Sequence, residues 1–292
     1  MQRERERERE RVMMITLLER VVYEEPSNLF TMAMPPIIFL SLAILGLAEA
    51  SGIHLQYSKF CINMNFMNMV GSSSSSSSSH NHSVIKLSSR TGMLIVYTPP
   101  FLAGVASFIL FSGGDSRFLL VKSALTFHFF KRVMEVLFVH KYSGGMVLDS
   151  VILISTTYFT TTSTMIYTQH VVQGFQEPLI DLKLFGVVLF LLGICGNFYH
   201  HCLLSKTRDQ KGDKSYKIPR GGLFNLVICP HYLFEIVQFL GVSFISQTTF
   251  SFAFALGSAL YLTGRSYDTR KWYLSKFENF PKHVKALVPY VF

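Results

Sequence analysis

The sequence predicts an all-α, polytopic membrane protein of about seven transmembrane helices, and three observations carry that expectation. Hydrophobic residues fill 49% of the 292 positions and charged residues only 15%, against about 25% charged in an ordinary soluble domain. The charges are bunched, leaving long stretches almost free of them. The apolar stretches recur as seven segments, at 29–48, 92–112, 118–140, 147–169, 182–204, 223–245 and 248–264. Most of these approach the ~20 residues that cross a bilayer as a helix.

The chain opens on "MQRERERERER", alternating in sign with no apolar residue, which reads as a solvated tail over residues 1–28. Arg20, Glu24 and Glu25 separate it from the first apolar run, so no standard cleavable leader is expected. Between the first and second segments lies a polar, Ser-rich loop at 71–91, "GSSSSSSSSHNHS" at its centre. The second segment holds Pro99 and Pro100, which should distort its helix. The third carries Lys122, Lys131, Arg132 and Glu135 and would score poorly on hydropathy alone. The four cysteines, Cys61, Cys195, Cys202 and Cys229, show no CxxC spacing and read as packing residues.

A net charge of +9 is compatible with a nucleic-acid partner, but its distribution argues for membrane orientation instead. With seven spans, the loop of Lys59, Lys86 and Arg90, the loop of Lys141, the loop from Lys206 to Arg220 and the tail from Arg265 to Lys285 share one side. The opposite loops offer only Arg117. The positive-inside rule then puts the C-terminus in the cytosol and the N-terminus in the lumen. The sequon at Asn81 would face the cytosol and stay unglycosylated.

Ionisable groups inside spans usually face the bundle interior or a site. His128, Arg132 and Glu135 share a helix face, bordered by Lys131. Asn197 and His201 are four apart, as are His231 and Glu235 in "CPHYLFEIVQF", and Tyr97 stands just before the two prolines. By depth, all lie in the cytosolic half of four different helices. A polar chamber opening to the cytosol is the natural reading. The alternative, interhelical hydrogen bonds that serve packing alone, applies most readily to His128. The histidines do not form the tight boxes of a membrane metal site, so no metal is expected. GxGxxG and GxxxxGK(S/T) are both missing, so a nucleotide would need another cradle; Arg132, Arg208, Lys214, Lys217 and Arg265 could supply the cations.

Two C-terminal stretches, "YKIPRGGLFNLVICPHYLFEIVQFLG" and "GRSYDTRKWYLSKFENFPKHVKALVPYVF", resemble the C-terminal domain of the steroid 5α-reductase (3-oxo-5-alpha-steroid 4-dehydrogenase) family. The resemblance is firm over 184–292 and traceable from about residue 92. It implies a seven-helix reductase of the endoplasmic reticulum membrane. Such an enzyme uses NADPH to reduce a carbon–carbon double bond conjugated to a carbonyl in a lipid. It implies that residues 184–292 form the cofactor-binding half and residues 29–183 the substrate side. By the same resemblance, Asn197, Glu235, Arg132, Arg208, Arg265 and Tyr273 fall on cofactor-contact positions. His231 joins them as a pocket-lining residue, although the steroid enzymes carry asparagine there. His201 replaces an aspartate, and the glutamate and tyrosine that clamp a steroid ketone fall on Tyr97 and Phe129. A steroid-type clamp is therefore missing or rebuilt.

The third segment, "HFFKRVMEVLFVHKYSGG", is similar to the trans-2-enoyl-CoA reductase branch, in which Lys131 and Tyr232 become the functional candidates. A polyprenol-type branch is a further option. The residues proposed for the chemistry are Tyr232 or Tyr97 as acid, with Lys131 tuning a tyrosine or supplying charge. The expected partners are a hydrophobic lipid substrate (steroid, enoyl-CoA or isoprenoid), membrane lipids and other lipid-synthesis enzymes. Two readings from other classes remain: a membrane methyltransferase, and a non-catalytic membrane subunit that retains cofactor binding.

Overall fold

The computed structural model describes residues 20–55, 57, 85–142, 144–207 and 217–292. The charged tail up to residue 19, most of the Ser-rich loop with Asn81, and Arg208 and Lys214 lie outside the described residues. Seven long helices are found among those described: α1 Leu29–Ala50, α2 Ser89–Leu110, α3 Ser116–Met134, α4 Leu148–Val171, α5 Lys183–Lys206, α6 Pro230–Ser246 and α7 Thr249–Lys276. A π-helical turn, Glu135–Val139, extends α3. Two short strands, β1 Lys86–Ser88 and β2 Gly145–Val147, pair antiparallel with Leu87 opposite Met146. The protein is thus an all-α membrane protein. By length and composition, α1, α2 and α5 are long and apolar enough to cross a bilayer.

The helix ends follow local chemistry. Asn28 caps α1 by accepting from the Thr31 amide at 2.9 Å, and Thr31 returns a capping bond. Asp115 caps α3 through the Phe118 amide at 2.7 Å. α6 starts at Pro230, seven residues later than hydropathy suggests, because Gly222–Asn225 forms a 3-10 turn and proline suits the first helical position. α7 runs on to Lys276, well past its apolar segment, and the buried Arg265 and Asp268 there are paired with Glu49 and His54. The prolines of α2 do not break it. Pro99 cannot donate to Ile95, and Ser155 of α4 donates to that carbonyl instead, at 2.9 Å.

Close helix packing rests on small residues. A methyl group on Gly193 of α5 would sit 2.5 Å from the Gln238 amide nitrogen of α6. On Gly46 of α1 it would sit 2.7 Å from the Leu260 carbonyl of α7. The main core packs Phe118, Leu125, Met165, Phe239 and Phe250, while leucines and phenylalanines on the outer faces of α1, α2 and α5 stay exposed, as a lipid-facing surface would.

The charges of α3 that lower its hydropathy are paired inside. Arg117 is fully buried and bonds Glu177 at 2.5 Å, Asp181 at 2.8 Å, the Ile245 carbonyl at 2.9 Å and Gln247 at 2.8 Å. This accounts for the one basic residue that sequence counting left on the side opposite the basic loops: it is a staple neutralised by Glu177 and Asp181, not a free loop charge. Lys122 donates to the Phe111 carbonyl at 2.8 Å and lies over the Phe118 ring.

Candidate functional site

Polar residues of four helices and the π turn join in one continuous network. The π turn is its hub. Glu135, 1% exposed, places one carboxylate oxygen 2.9 Å from Lys131 Nζ and 3.0 Å from His201 Nδ1. Its other oxygen lies 3.0 Å from Arg132 Nη1. Two cations and a histidine on one buried carboxylate form a compensated set, as a buried charge requires. The wide turn makes this possible: the His140 amide bonds back to the Glu135 carbonyl at 2.7 Å, five residues away, which folds His140 beside His201. Turns of this kind recur at functional sites.

From this hub the network runs both ways. Toward α2, Arg132 Nη2 donates to the Tyr97 hydroxyl, and the guanidinium lies 4.5 Å from the Tyr97 ring centre. Toward α5, Lys131 donates to Asn197 Oδ1, and Asn197 Nδ2 donates onward to the His231 carbonyl at 2.9 Å. That last bond holds the first turn of α6. The same turn is pinned from the other side by the C-terminal segment: the Ile228 amide bonds the Lys285 carbonyl at 2.9 Å, and Cys229 bonds Ala286 at 3.2 Å.

Two cavities flank the network. A polar one of about 240 Å³ is lined by Arg132, His231, Tyr232, Arg265 and Tyr273 among others. Ser89 Oγ, buried in its wall, makes no hydrogen bond among the described residues. A second cavity of about 140 Å³ is mostly apolar, with Leu42, Val96, Phe239 and Phe254 in its walls. Tyr97, Thr157, Tyr158, Glu235, Ser258 and Tyr261 are polar members that it does not share with the first. Tyr57, Met93, Arg132 and Tyr232 line both.

The residues singled out from sequence thus separate into three places. Arg132, His231, Tyr232, Arg265 and Tyr273 face the polar cavity. Tyr97 and Glu235 face the apolar one, with Arg132 and Tyr232 common to both. Lys131 and Asn197 line neither cavity and stand behind the wall, bonded to each other. Arg208 lies outside the described residues. His128 is bonded to Gln238 at 2.5 Å and lines neither cavity, as a packing residue would be.

The site also recruits residues that sequence reasoning passed over. Glu49, at the end of α1, bonds Arg265 at 2.6 Å, and His54 bridges Glu49 at 2.9 Å to Asp268 at 3.3 Å. Tyr57 stacks on the Arg265 guanidinium, 4.2 Å from its ring centre. A lone carboxylate closing an apolar segment was a usable signal for Glu49; nothing local marked Tyr57 or Tyr158. Glu135, His140 and His201 bring metal-ligating atoms within 4.8 Å of one another. Lys131 and Arg132 already neutralise that carboxylate, so the trio reads as an ion-pair cluster.

The profile of the 3-oxo-5-alpha-steroid 4-dehydrogenase family matches residues 147–292. The chain is similar to 3-oxo-5-alpha-steroid 4-dehydrogenase 1 of Macaca fascicularis, 39% identical over 109 residues, covering 37% of this chain and 41% of that protein. It is similar to a very-long-chain enoyl-CoA reductase of Dictyostelium discoideum, 29% identical over 215 residues, covering 72% of this chain and 70% of that one. It is also similar to polyprenal reductase 1 of Oryza sativa subsp. indica, 35% identical over 123 residues, covering 39% and 34% respectively. The chain thus matches only about two fifths of the macaque relative's length. The family match takes in the C-terminal half, from β2 through α6 to the strap that pins it, and the chain belongs to the 3-oxo-5-alpha-steroid 4-dehydrogenase (steroid 5α-reductase) family.

Proposed function

We propose that the chain is an oxidoreductase that uses NADPH to reduce a carbon–carbon double bond conjugated to a carbonyl in a lipid substrate. The observation that carries this is the pair of cavities, one polar and one apolar, with Tyr57, Met93, Arg132 and Tyr232 in both linings. A charged cofactor and an oily substrate need such separate compartments and one place to meet. The names of the relatives, steroid, enoyl-CoA and polyprenal reductases, support a lipid reductase.

The polar cavity suits NADPH. Arg132, Arg265 and the unsatisfied Ser89 hydroxyl offer donors to anionic oxygens, and Tyr273 and His231 offer flat surfaces. Asn197 and Lys131 act from behind the wall, holding the α6 turn that carries His231 and Tyr232. Glu235 would meet the cofactor only near the common wall. Arg208 is carried as a cofactor contact on the resemblance alone.

When bound, NADPH supplies a hydride to the β-carbon of the double bond. The chain must then stabilise negative charge on the carbonyl oxygen and return a proton to the α-carbon. Tyr97 suits the former, since its oxygen accepts from Arg132 and its own O–H is left to donate into the apolar cavity. Tyr232, in both linings, suits the latter, regaining its proton from water in the polar cavity. The apolar walls keep water from the reacting carbons.

Seven spans, a lumenal N-terminus, a cytosolic C-terminus and residence in the endoplasmic reticulum complete the proposal. The seven long helices and the concentration of Lys and Arg in alternate connections of the sequence support it. The division of residues 29–183 as the substrate side from residues 184–292 as the cofactor side is part of the proposal on the resemblance alone, since both stretches contribute to each cavity. A second reading within this class, reduction of a very-long-chain trans-2-enoyl thioester within a complex of lipid-synthesis enzymes, is favoured by one observation. The enoyl-CoA reductase match extends over 72% of the chain, into the helices that line the apolar cavity.

The test is NADPH oxidation by the purified chain in lipid nanodiscs. The substrates are a 3-oxo-Δ4 steroid, a long-chain trans-2-enoyl-CoA and a polyprenol-derived aldehyde, with Glu235→Ala as the blank. Turnover of one of them, lost in the variant, is the expected result and names the branch. A folded protein that neither binds NADPH nor turns over any of the three overturns the proposal and leaves the non-catalytic reading.

A further inference from the structure

We infer that Tyr158 of α4 is a catalytic residue: its hydroxyl is the second donor to the substrate's carbonyl oxygen, beside that of Tyr97. The inference rests on the reductase reading above.

Charge on a carbonyl oxygen in a dry site is best stabilised by two donors aimed at the same point. The tyrosine hydroxyls lining the apolar cavity can be sorted by what they already do. Those of Tyr57 and Tyr261 bond each other at 3.2 Å. Tyr97 is held by Arg132. Tyr232 also lines the polar cavity, which suits it to proton return. Tyr158 lines the apolar cavity and not the polar one, and its hydroxyl makes no hydrogen bond among the described residues. A phenol in an apolar wall without a partner is costly unless a ligand completes it.

Its ring is also held in place. The Tyr158 ring centre lies 5.9 Å from that of Tyr97 and 5.5 Å from that of Phe129. The tilt between the two tyrosine rings is 33°. Phenols tilted by 33° at this separation can present their hydroxyls to one oxygen between them. The backbone supports the placement: Ser155, one turn earlier on α4, bonds the Ile95 carbonyl of α2, tying the two helices beside both tyrosines.

In the reduction, the β-carbon would gain its C–H bond from the hydride that NADPH supplies when bound, the double-bond electrons move toward the carbonyl oxygen, and Tyr97 and Tyr158 donate hydrogen bonds to it while keeping their protons. The charge returns to the α-carbon as that atom takes a proton from Tyr232, which regains one from water, while Tyr97 and Tyr158 stay protonated throughout. The pair selects for substrates whose double bond is conjugated to a carbonyl.

The test compares wild type, Tyr158→Phe and Tyr97→Phe in nanodiscs on the same three substrates, with NADPH binding measured separately. The expected result is that Tyr158→Phe lowers kcat roughly 100-fold, in the range for loss of one oxyanion donor, with NADPH affinity within about twofold of wild type. Affinity for a saturated ligand that retains the carbonyl should fall, while that for its methylene analogue should not. Wild-type kcat in Tyr158→Phe, or equal loss of NADPH binding and turnover, overturns the role of Tyr158 alone. Folded wild type that neither binds NADPH nor turns over any of the three substrates overturns the reductase reading and this role with it.

Discussion

Arg265 and Glu49 lie 216 positions apart in sequence and meet at 2.6 Å with both side chains 2% exposed. The pair joins the end of α1 to the middle of α7 beside the polar cavity, and Tyr57 caps it. Removing one member of a buried pair typically costs about 3–5 kcal/mol, because the other charge is left uncompensated. Glu49→Gln is therefore expected to lower the melting temperature markedly and to weaken NADPH binding. Replacing both with apolar residues, Glu49→Leu with Arg265→Met, should recover stability but not cofactor affinity. Equal NADPH affinity in the double variant and wild type would show that Arg265 is structural only.

Tyr97 and Tyr232 have separate roles, so their phenylalanine variants should fail differently. Tyr97→Phe removes an oxyanion donor and is expected to lower kcat by roughly 10²–10³-fold. Tyr232→Phe removes the proposed proton source, with a loss of roughly 10²–10⁴-fold. Single-turnover measurements should show a slowed deuteride transfer from 4-deuterated NADPH in the first. The second should show a larger solvent isotope effect than wild type or no residual turnover. Identical behaviour in both assays would remove the distinction.

Lys131 touches neither cavity, so its substitution should act through Asn197 and the α6 turn. Lys131→Met strips one of two cations from Glu135 and frees the Asn197 side chain. The expected outcome is faster hydrogen exchange in the first turn of α6, with the loss of turnover exceeding any change in NADPH affinity. Lys131→Arg should rescue part of both. A turnover defect without change in α6 exchange would instead point to direct contact with the substrate.

At the other end of the bundle, Arg117→Met should destabilise without disturbing the cavities. It leaves the Ile245 carbonyl without the donor Arg117 supplies, a cost of about 1–3 kcal/mol, and takes one of two donors from Gln247 Oε1, which keeps the Leu182 amide at 2.9 Å. Asp181 adds a pH dependence. Burial works to raise its carboxyl, but the Lys183 amide and the Arg117 guanidinium outweigh that and hold it below the ordinary carboxylate value. A depressed folded value means stabilisation that is full above the unfolded value and lost as the pH falls through the folded one. Acid scans of the melting temperature should therefore fall less steeply in Asp181→Asn than in wild type.

Much of this was legible in the sequence because the bilayer simplifies the code. Apolar runs located all seven helices, and a residue such as Arg132 or Asn197 inside one could only turn inward. Their depths were readable by counting, which is why Tyr97, Arg132, Asn197 and His231 do fall into one network. Boundaries were poorest where hydropathy is silent, at the 3-10 turn before α6 and in the polar half of α7. The division into two cavities was not legible at all. It depends on the angular positions of α1, α2 and α4, and on residues such as Tyr57 and Tyr158 whose neighbours are remote in sequence. Lys131 illustrates the gap: its charge and depth were plain, but its turn toward Asn197 rather than toward a cavity follows from rotation about α3.

The π turn at Glu135–Val139 has a meaning for how such chains can diverge. It is, in arithmetic, an α-helix with one residue to spare. Deleting any one position between Glu135 and His140 would let the regular ladder close and swing His140 by about a quarter of a turn. Every chemically interesting side chain would survive in the gene, yet the carboxylate hub would come apart. The site is thus encoded in a spacing as much as in residue types, and two relatives that share all its letters but differ by one position here need not share its chemistry.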